Sequence, residues 1–556
     1  MLSSFCLNIF FFFMIFFSFC VGVRMDGSGK RMDGVFNVNG QEESRKLVVV
    51  NCSQTRYHVV RAAAVALGWY VEDEGRRDVP ARFHGVALRR DMQAVIKRLL
   101  SRGLSYDAGS SPQIQWLDKS VISSRVAALF CRHRVNHFPG MHVVARKAVL
   151  FKRLMRIRRR VRASSLLATS MRAFPWSFSA STELPQLERF LCARQEQQSS
   201  DGEPFFILKP NKGCQGKGII LTPEPLEALE RLKDKSRDEW LVQLYVTPPL
   251  CIERKKFDLR IYVLLTSVVV GRPPRLRRGI PQTLGGETHG SHAGPLDGLQ
   301  LFVHQDGLVR ICAEEYANPN RKNCERASVH LTNYAVNRTA EGFSMGFLEE
   351  TDDGGVCEGN KRDFKFLQHY VNALPGEDQR VESTVETVAL SRWECLLRRI
   401  DICIMLTLLS GLEELQREFI GTGASRGSRS DGRNCFELLG FDLMLTEELE
   451  PVLMEVNHSP SLFCDSSFDF ETKRRVVMDV FRLLEPHVPS IEVCDDASYA
   501  AHQATPHAGT SDASVGFRQI SPQRTFADSA GGAGGPWCEE EMRMFEEMLQ
   551  HARMSW

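Results

Sequence analysis

The sequence predicts an α/β protein, and three stretches carry the prediction. "KLVVVNCS" followed by "YHVVRAAAVALGW" reads as an apolar strand and then a helix with apolar residues at helical spacing. From Phe205 to about Val269 the chain reads strand "FFILKP", glycine-rich turn "NKGCQGKG", strand "IILT", helix "PLEALERLKD", strand "WLVQLYV" and a long strand "FDLRIYVLLTSVVV". "CFELLGFDLMLTEELEPVLMEVN" reads as two strands folded into a hairpin.

Taken in order, residues 1–45 hold a Phe-rich segment and a linker. "CLNIFFFFMIFFSFCVGV" has no basic residues before it, and Met25 and Met32 follow as alternative starts. We read it as translated upstream sequence, with a signal peptide or membrane anchor as the alternative. Residues 46–490 form the main domain: an N-terminal lobe over 46–200, a central lobe over 201–270, an inserted loop over 271–300 and a C-terminal lobe over 301–490. The loop "GRPPRLRRGIPQTLGGETHGSHAGPLDGLQ" is rich in Gly, Pro and His and lacks periodicity, and 421–434 has the same character. The C-terminal lobe resumes with "LFVHQDGLVRIC", a long apolar helix around 387–418 and the hairpin. Residues 491–556 read as a mostly disordered tail, and "CEEEMRMFEEMLQHARM" near its end reads as an amphipathic helix able to dock.

The 556 residues are 43% hydrophobic and 25% charged, enough to bury a large core. The 16 cysteines lack CxxC pairs, which argues for reduced thiols in a cytosolic setting and shows no zinc site. The net charge of +2 hides a local asymmetry: Lys119 to Thr182 contains fourteen Lys and Arg and no Asp or Glu. That segment suits an acidic partner.

Along a strand, alternate residues share a face, so Glu455 and Asn457 project together while Val456 points away. A hairpin centred between Glu448 and Leu449 places Asp442 opposite Glu455. Opposed carboxylates destabilise paired strands unless a cation lies between them, and hard oxygen ligands suit magnesium. Asp442, Glu455 and Asn457 are therefore a candidate metal site; a solvated hairpin end is the plainer alternative. "ILKPNKGCQGKGI" sets Lys209 at a strand end, followed by glycines whose amides can approach phosphate closely, although the order of a Walker A loop is absent.

With "LVQLYV", "KFDLRIYV", "GLVRICAEEY", "HLTNYAVNR" and "GFDLMLTEELEPVLMEVNHSPSL" on the page, the chain over about 46–490 resembles the tubulin tyrosine ligase-like family. "WLDKS" and "VNHFPGM" resemble its polyglutamylase branch most. The resemblance implies an ATP-grasp fold, ATP and Mg²⁺ as cofactors, and joining of an amino acid to a protein carboxylate. It implies that Lys209, Gln215 and Gly216 hold ATP phosphates, with Lys217 nearby, and that Gln243, Leu244, Tyr245 and Val246 meet the adenine edge. Leu244 departs from the usual Lys or Arg. Lys256, Phe257 and Asp258, in one strand with Arg260, and also Thr332 and Asn333, match nucleotide contacts. Arg310 matches the arginine that grips the incoming amino acid, and a guanidinium suits a bidentate carboxylate. Tyr334, Ala335 in place of a usual Ser, Lys361 and Lys473 align with amino-acid positions, and His458 with the acceptor protein. Arg310, Lys256 and Glu455 are the expected catalytic residues, and Gln215 is also placed toward substrate.

The expected substrates are free L-glutamate and the acidic C-terminal tails of tubulin, in microtubules of the cytoplasm and cytoskeleton, including cilia or basal bodies. An acylphosphate intermediate removes the need for a Ser or Cys nucleophile, in keeping with the lack of a GxSxG motif. The stripe "RKAVLFKRLMRIRRRVR" is a candidate surface for tubulin, with a solvated basic helix face as the alternative; no nucleic-acid partner is expected, and a membrane only if the Phe-rich segment is retained. A glycine or tyrosine ligase of the same family, or a catalytically silent microtubule-binding protein, are the competing functions.

Overall fold

The computed structural model describes residues 24–25, 31–32, 48–72, 114–121, 126, 133–196, 203–211, 216–232, 240–269, 296, 298–344, 347–349, 356–375, 380–381, 388–421, 434–484, 516–521 and 537–554. Gln215, the Phe-rich segment and most of the two inserted loops lie outside them. The chain forms two compact units, Met1–Val48 with Pro489–Pro506, and Val49–Val488 with His507–Trp556. In the first, strands Arg24–Met25 and Arg31–Met32 pair antiparallel.

The larger unit contains three principal sheets. Strands Val49–Asn51, Tyr70–Glu72, Ile114–Gln115 and Arg134–Val135 form a small parallel sheet, with helix His58–Ala66 following its first strand as the apolar spacing predicts. A four-stranded antiparallel sheet runs Ser177–Ser179, Trp240–Leu244, Phe206–Pro210, Ile220–Thr222. The largest sheet has the central order Lys361–Arg362, Gln300–Ile311, Lys255–Ser267, Glu437–Leu445, Pro451–Asn457, with Cys251–Ile252 and Phe517–Gln519 paired beside it.

Alternation along these strands divides core from chemistry. In Lys255–Ser267, Phe257, Leu259, Ile261, Val263 and Leu265 enter one apolar cluster with Ile404, Leu408 and Phe419 of helix Arg392–Gly421. Lys256, Asp258 and Arg260 take the intervening positions. Leu439, Phe441, Leu443 and Leu445 of the neighbouring strand also enter the core, leaving Asp442 on the alternate face. The helix starts about five residues later and ends about three residues later than its sequence pattern indicates.

The hairpin has the expected pairing of Asp442 with Glu455, but it is reached by a different route. Near the turn the pairs are Leu445 with Pro451 and Leu443 with Leu453; an irregularity then skips Met454, so that Asp442 faces Glu455 and Gly440 faces Asn457. Strict alternation from buried Leu453 would turn Glu455 toward the core, so the extra residue exchanges the faces.

Residues 516–521 and 537–554 are more integral than the polar composition of the tail suggests. Strand Phe517–Gln519 adds to Gln300–Ile311, and Arg518 forms an ion pair with Asp401 of the long helix. The helix at Glu539–Arg553 docks on the body, burying Met544, Phe545, Met548 and Leu549 in the main core. Among the described residues no helix is long and apolar enough to cross a membrane.

Together these elements give the mixed α/β architecture of an ATP-grasp protein, with the two antiparallel sheets both lining one cleft.

Candidate active site

Neighbouring strands bring the charged positions into two cross-strand rows. Lys361 is opposite Arg310, which is opposite Asp258. Arg260 is opposite Asp442, which is opposite Glu455. The Arg310 guanidinium donates to both Asp258 oxygens, at 2.6 and 2.8 Å, and lies 3.0 Å from Asp442 Oδ2. Arg260 donates to both Asp442 oxygens at 2.6 and 3.0 Å. Burial alone would raise the Asp442 carboxyl, but Arg260 and Arg310 outweigh it and hold it well below the usual carboxylate range, so it is ionised. Gly440 makes this fit possible: a Cβ there would lie 2.9 Å from the Pro460 Cβ and 3.2 Å from the Arg260 Cδ.

Asn457 joins the two carboxylates, with its amide nitrogen 3.1 Å from Glu455 Oε1 and 3.4 Å from Asp442 Oδ2. Reversing the assigned amide orientation turns its carbonyl oxygen to the same point. Two carboxyl groups and a carboxamide fit a hard divalent cation such as magnesium. Lys147, absent from the sequence-derived site, lies 2.9 Å from Glu455 Oε2. Only the distant pairing of helix Lys147–Arg158 with this strand reveals it; in sequence it is one more cation in a basic run.

The cleft is open to solvent and is lined by Lys147, Lys209, Gly216, Lys217, Asp258, Asn333, Asp442 and Glu455, together with Ile207, Ile219, Leu331 and Met454. Lys209 Nζ is buried against the Gln243 side-chain oxygen at 2.8 Å and the Met454 carbonyl at 3.4 Å. Desolvation lowers its pKa from 10.5 to about 8, against the opposing pull of Glu455. Gly216 has φ of +75°, and a Cβ there would stand 2.9 Å from Asn333 Oδ1 and Val336 Cγ2, so backbone and side chain converge tightly at the cleft wall. These are features that phosphate groups can use: buried cations, a close glycine backbone and apolar walls.

Lys256 is also buried, but its ammonium donates to the Tyr245 hydroxyl at 2.8 Å and the His330 carbonyl at 3.0 Å. Phe257 faces the core, so the cleft can meet only its backbone. Thr332 also donates to Asp258, sharing its Oδ2 with Arg310 and helping to orient that carboxylate. Leu244 is half-buried against the apolar cluster of the four-stranded antiparallel sheet, and Val246 follows it half-exposed.

Tyr334 and Ala335 begin a short helix, and the Lys361 ammonium lies 4.6 Å above the Tyr334 ring. Lys361 meets Asp465 at 2.7 and 2.8 Å, while Lys473 meets Asp469 at 2.7 Å and the Phe463 carbonyl at 2.6 Å. Asp465 and Asp469 thus accompany the two expected cations: Asp465 precedes helix Ser467–Leu484 and gives no sequence signal of its pairing, whereas Asp469 and Lys473 stand four residues apart within that helix. His458 lies half-exposed beside Ser459 and Ser120.

The basic stripe supplies less free surface than its composition implies. Arg153 pairs with Glu414, Arg159 with Glu183 at 3.1 Å, and Arg158 stacks 4.4 Å from the Trp176 ring. Arg156, Arg160 and Arg162 are exposed.

Comparison with known proteins matches the model of the Tubulin-tyrosine ligase family to residues 127–270, 295–352 and 357–493. The chain is 26% identical over 459 residues to tubulin polyglutamylase TTLL6 of Mus musculus, covering 83% of this chain and 43% of that protein. It is 28% identical over 376 residues to tubulin polyglutamylase ttll6 of Danio rerio, covering 68% and 39%, and 29% over 382 residues to tubulin polyglutamylase TTLL7 of Homo sapiens, covering 68% and 35%. It therefore spans about two fifths or less of the length of these relatives. The matched segments contain both antiparallel sheets' cleft-lining residues and the complete Asp442, Glu455 and Asn457 group, and on that match the chain belongs to the tubulin-tyrosine ligase family.

Proposed function

We propose that this chain is an ATP-dependent ligase that adds glutamate to glutamate side chains of tubulin C-terminal tails. The observation that carries the reading is the meeting of Asp442, Glu455 and Asn457 at the wall of a cleft that also contains Lys209 and Gly216. The names of the relatives support glutamate as the added amino acid.

In this reading Lys209, Lys147 and the Gly216 backbone hold ATP phosphates, Lys217 faces phosphate or acceptor, and the Gln243 to Val246 segment meets adenine. Gln215, outside the described residues, completes the phosphate loop. Lys256 acts beside the nucleotide through its fixed bond to Tyr245, Asp258 and Asn333 line the cleft, and Thr332 contacts the nucleotide side of Asp258 to which it donates. Magnesium held by Asp442, Glu455 and Asn457 would neutralise phosphate oxygens. An acceptor γ-carboxylate oxygen attacks the γ-phosphorus of ATP, forming an acylphosphate and expelling ADP. The amine of free glutamate then attacks the acyl carbon, forming the C–N bond, expelling inorganic phosphate and losing a proton to solvent. Arg310 orients the glutamate carboxylate by exchanging part of its contact with Asp258, while Tyr334, Ala335, Lys361 and Lys473 bound the amino-acid site. His458 and the exposed Arg156 and Arg162 face the acidic acceptor, which places the protein on the cytoskeleton.

A ligase for glycine or tyrosine is the second reading. The observation favouring it is the pairing of Lys361 with Asp465 and Lys473 with Asp469, which reduces the positive charge available to a glutamate side chain. Parallel incubation of purified protein with microtubules, ATP, magnesium and labelled glutamate, glycine or tyrosine separates these readings. Glutamate incorporation is expected; label from none of the three refutes ligation, and glycine or tyrosine alone refutes the glutamate assignment.

A further inference from the structure

Cysteine spacing shows no zinc site, but spacing cannot reveal a cluster assembled from segments three hundred residues apart. His137 follows strand Arg134–Val135, Glu437 opens strand Glu437–Leu445, and His458 directly follows strand Pro451–Asn457. His137 and Glu437 are buried, and one donor atom from each of the three side chains lies within 4.8 Å of the others.

The hydrogen bonds give these groups a ligand-like arrangement. His137 Nε2 lies 2.9 Å from the Leu117 carbonyl, to which it donates in the tautomer that leaves Nδ1 with a lone pair. That Nδ1 is 2.9 Å from Glu437 Oε1, and His458 Nδ1 is 3.7 Å from the same oxygen. Around a tetrahedral ion with bonds of about 2.0–2.1 Å, neighbouring ligand atoms stand roughly 3.3 Å apart, so small side-chain shifts suffice. Outer contacts support the donors: the Phe138 amide donates to Glu437 Oε2 at 2.6 Å, as the Leu117 carbonyl supports His137. His137, His458 and Asp118 line a small solvent-open pocket, and Asp118 Oδ1 is buried beside it without a hydrogen bond.

We propose that His137, Glu437 and His458 bind a divalent cation of the zinc class, separately from the Asp442, Glu455 and Asn457 group. Two imidazoles and one carboxylate suit such an ion, whereas magnesium favours an octahedral oxygen shell. Three protein ligands leave a fourth position open to the pocket. Bound metal joins the segment containing His137 to the hairpin and fixes the ring of His458, which is otherwise half-exposed. This site does not depend on the proposed ligase activity.

The test uses the purified full chain, stripped with chelator and kept in excess Mg²⁺, then titrated with Co²⁺ and with Zn²⁺ in competition. The expected result is one tight equivalent of Co²⁺ with visible bands of low coordination number, displaced by Zn²⁺. Glu455→Gln leaves that binding in place. His458→Ala weakens it by more than about tenfold, while His458→Cys restores it with a thiolate-to-cobalt charge-transfer band. Circular dichroism verifies that each variant is folded. Absence of binding under excess Mg²⁺, or equal Co²⁺ affinity of the folded His458→Ala variant and the original chain, overturns the proposal.

Discussion

Lys209→Met separates the energetic cost of burying a cation from the use of that cation. The ammonium is fully buried, and desolvation lowers its pKa from 10.5 to about 8 although Glu455 pulls the other way. At pH 7 the lysine is protonated in both folded and unfolded chains, so the folded state carries the whole cost of burial. Between pH 8 and 10.5 the unfolded chain holds more protons, and folding stability rises with pH. The difference amounts to about 3 kcal/mol across that window.

Methionine has similar length and no charge, so it removes this dependence. It also leaves the Gln243 side-chain oxygen without its 2.8 Å donor, a loss of about 1–3 kcal/mol. The variant should therefore match or exceed the original chain in stability by up to about 2 kcal/mol at pH 7, and match it or fall below it by up to about 2 kcal/mol at pH 10. Urea denaturation followed by circular dichroism at both pH values measures the two differences. A stability difference of the same sign and size at pH 7 and pH 10 refutes the argument that burial of charge dominates Lys209. ATP affinity gives a second reading: loss of a charge-assisted phosphate contact should weaken it by about ten- to a hundredfold, and unchanged affinity removes Lys209 from the phosphate site.

Glu455→Gln should abolish amino-acid incorporation while changing stability by less than about 1 kcal/mol, because its partner Lys147 lies at the edge of the cleft; activity and melting measurements together test this. Asp442→Asn should destabilise by about 3–5 kcal/mol, since it deprives buried Arg260 and Arg310 of an ionised partner; an unaltered denaturation midpoint contradicts the ion-pair account. Gly216→Ala should weaken ATP binding, because the left-handed backbone costs about 1–2 kcal/mol with a side chain and the added Cβ meets Asn333; calorimetric titration with ATP measures the loss. Phe545→Ala should cost about 3–5 kcal/mol by opening the main core, and a change within 0.5 kcal/mol would show that the terminal helix is dispensable.

The strand pattern and much of the candidate site were legible because both depend on local alternation. Lys256, Asp258 and Arg260 alternate with Phe257, Leu259 and Ile261, so one face had to be apolar and the other charged. The same reasoning brought Asp442 opposite Glu455, and the structure has that pair. Yet the sequence reading assumed a regular hairpin, while an extra residue at Met454 is what turns Glu455 away from the core. A bulge of that kind depends on how the strand packs below and above, which the alternating pattern does not encode.

The strand at Phe517–Gln519 was hidden for another reason. Three residues in a polar, low-complexity setting carry too little periodicity, and their stability comes from the edge they join and from the Arg518 pair with Asp401.

Sequence by itself determined the α/β class, the apolar and charged faces of the central strands, and the residue types able to bind phosphate and a hard cation. Tertiary structure decided which charges meet. Lys147 reaches Glu455, Asp465 and Asp469 take up Lys361, Arg153 and Arg159 are drawn from the basic stripe into ion pairs, and His137 joins Glu437 and His458. Periodicity fixes the direction of a side chain within its own element, whereas electrostatic pairing acts over a few ångströms of space and is blind to distance along the chain.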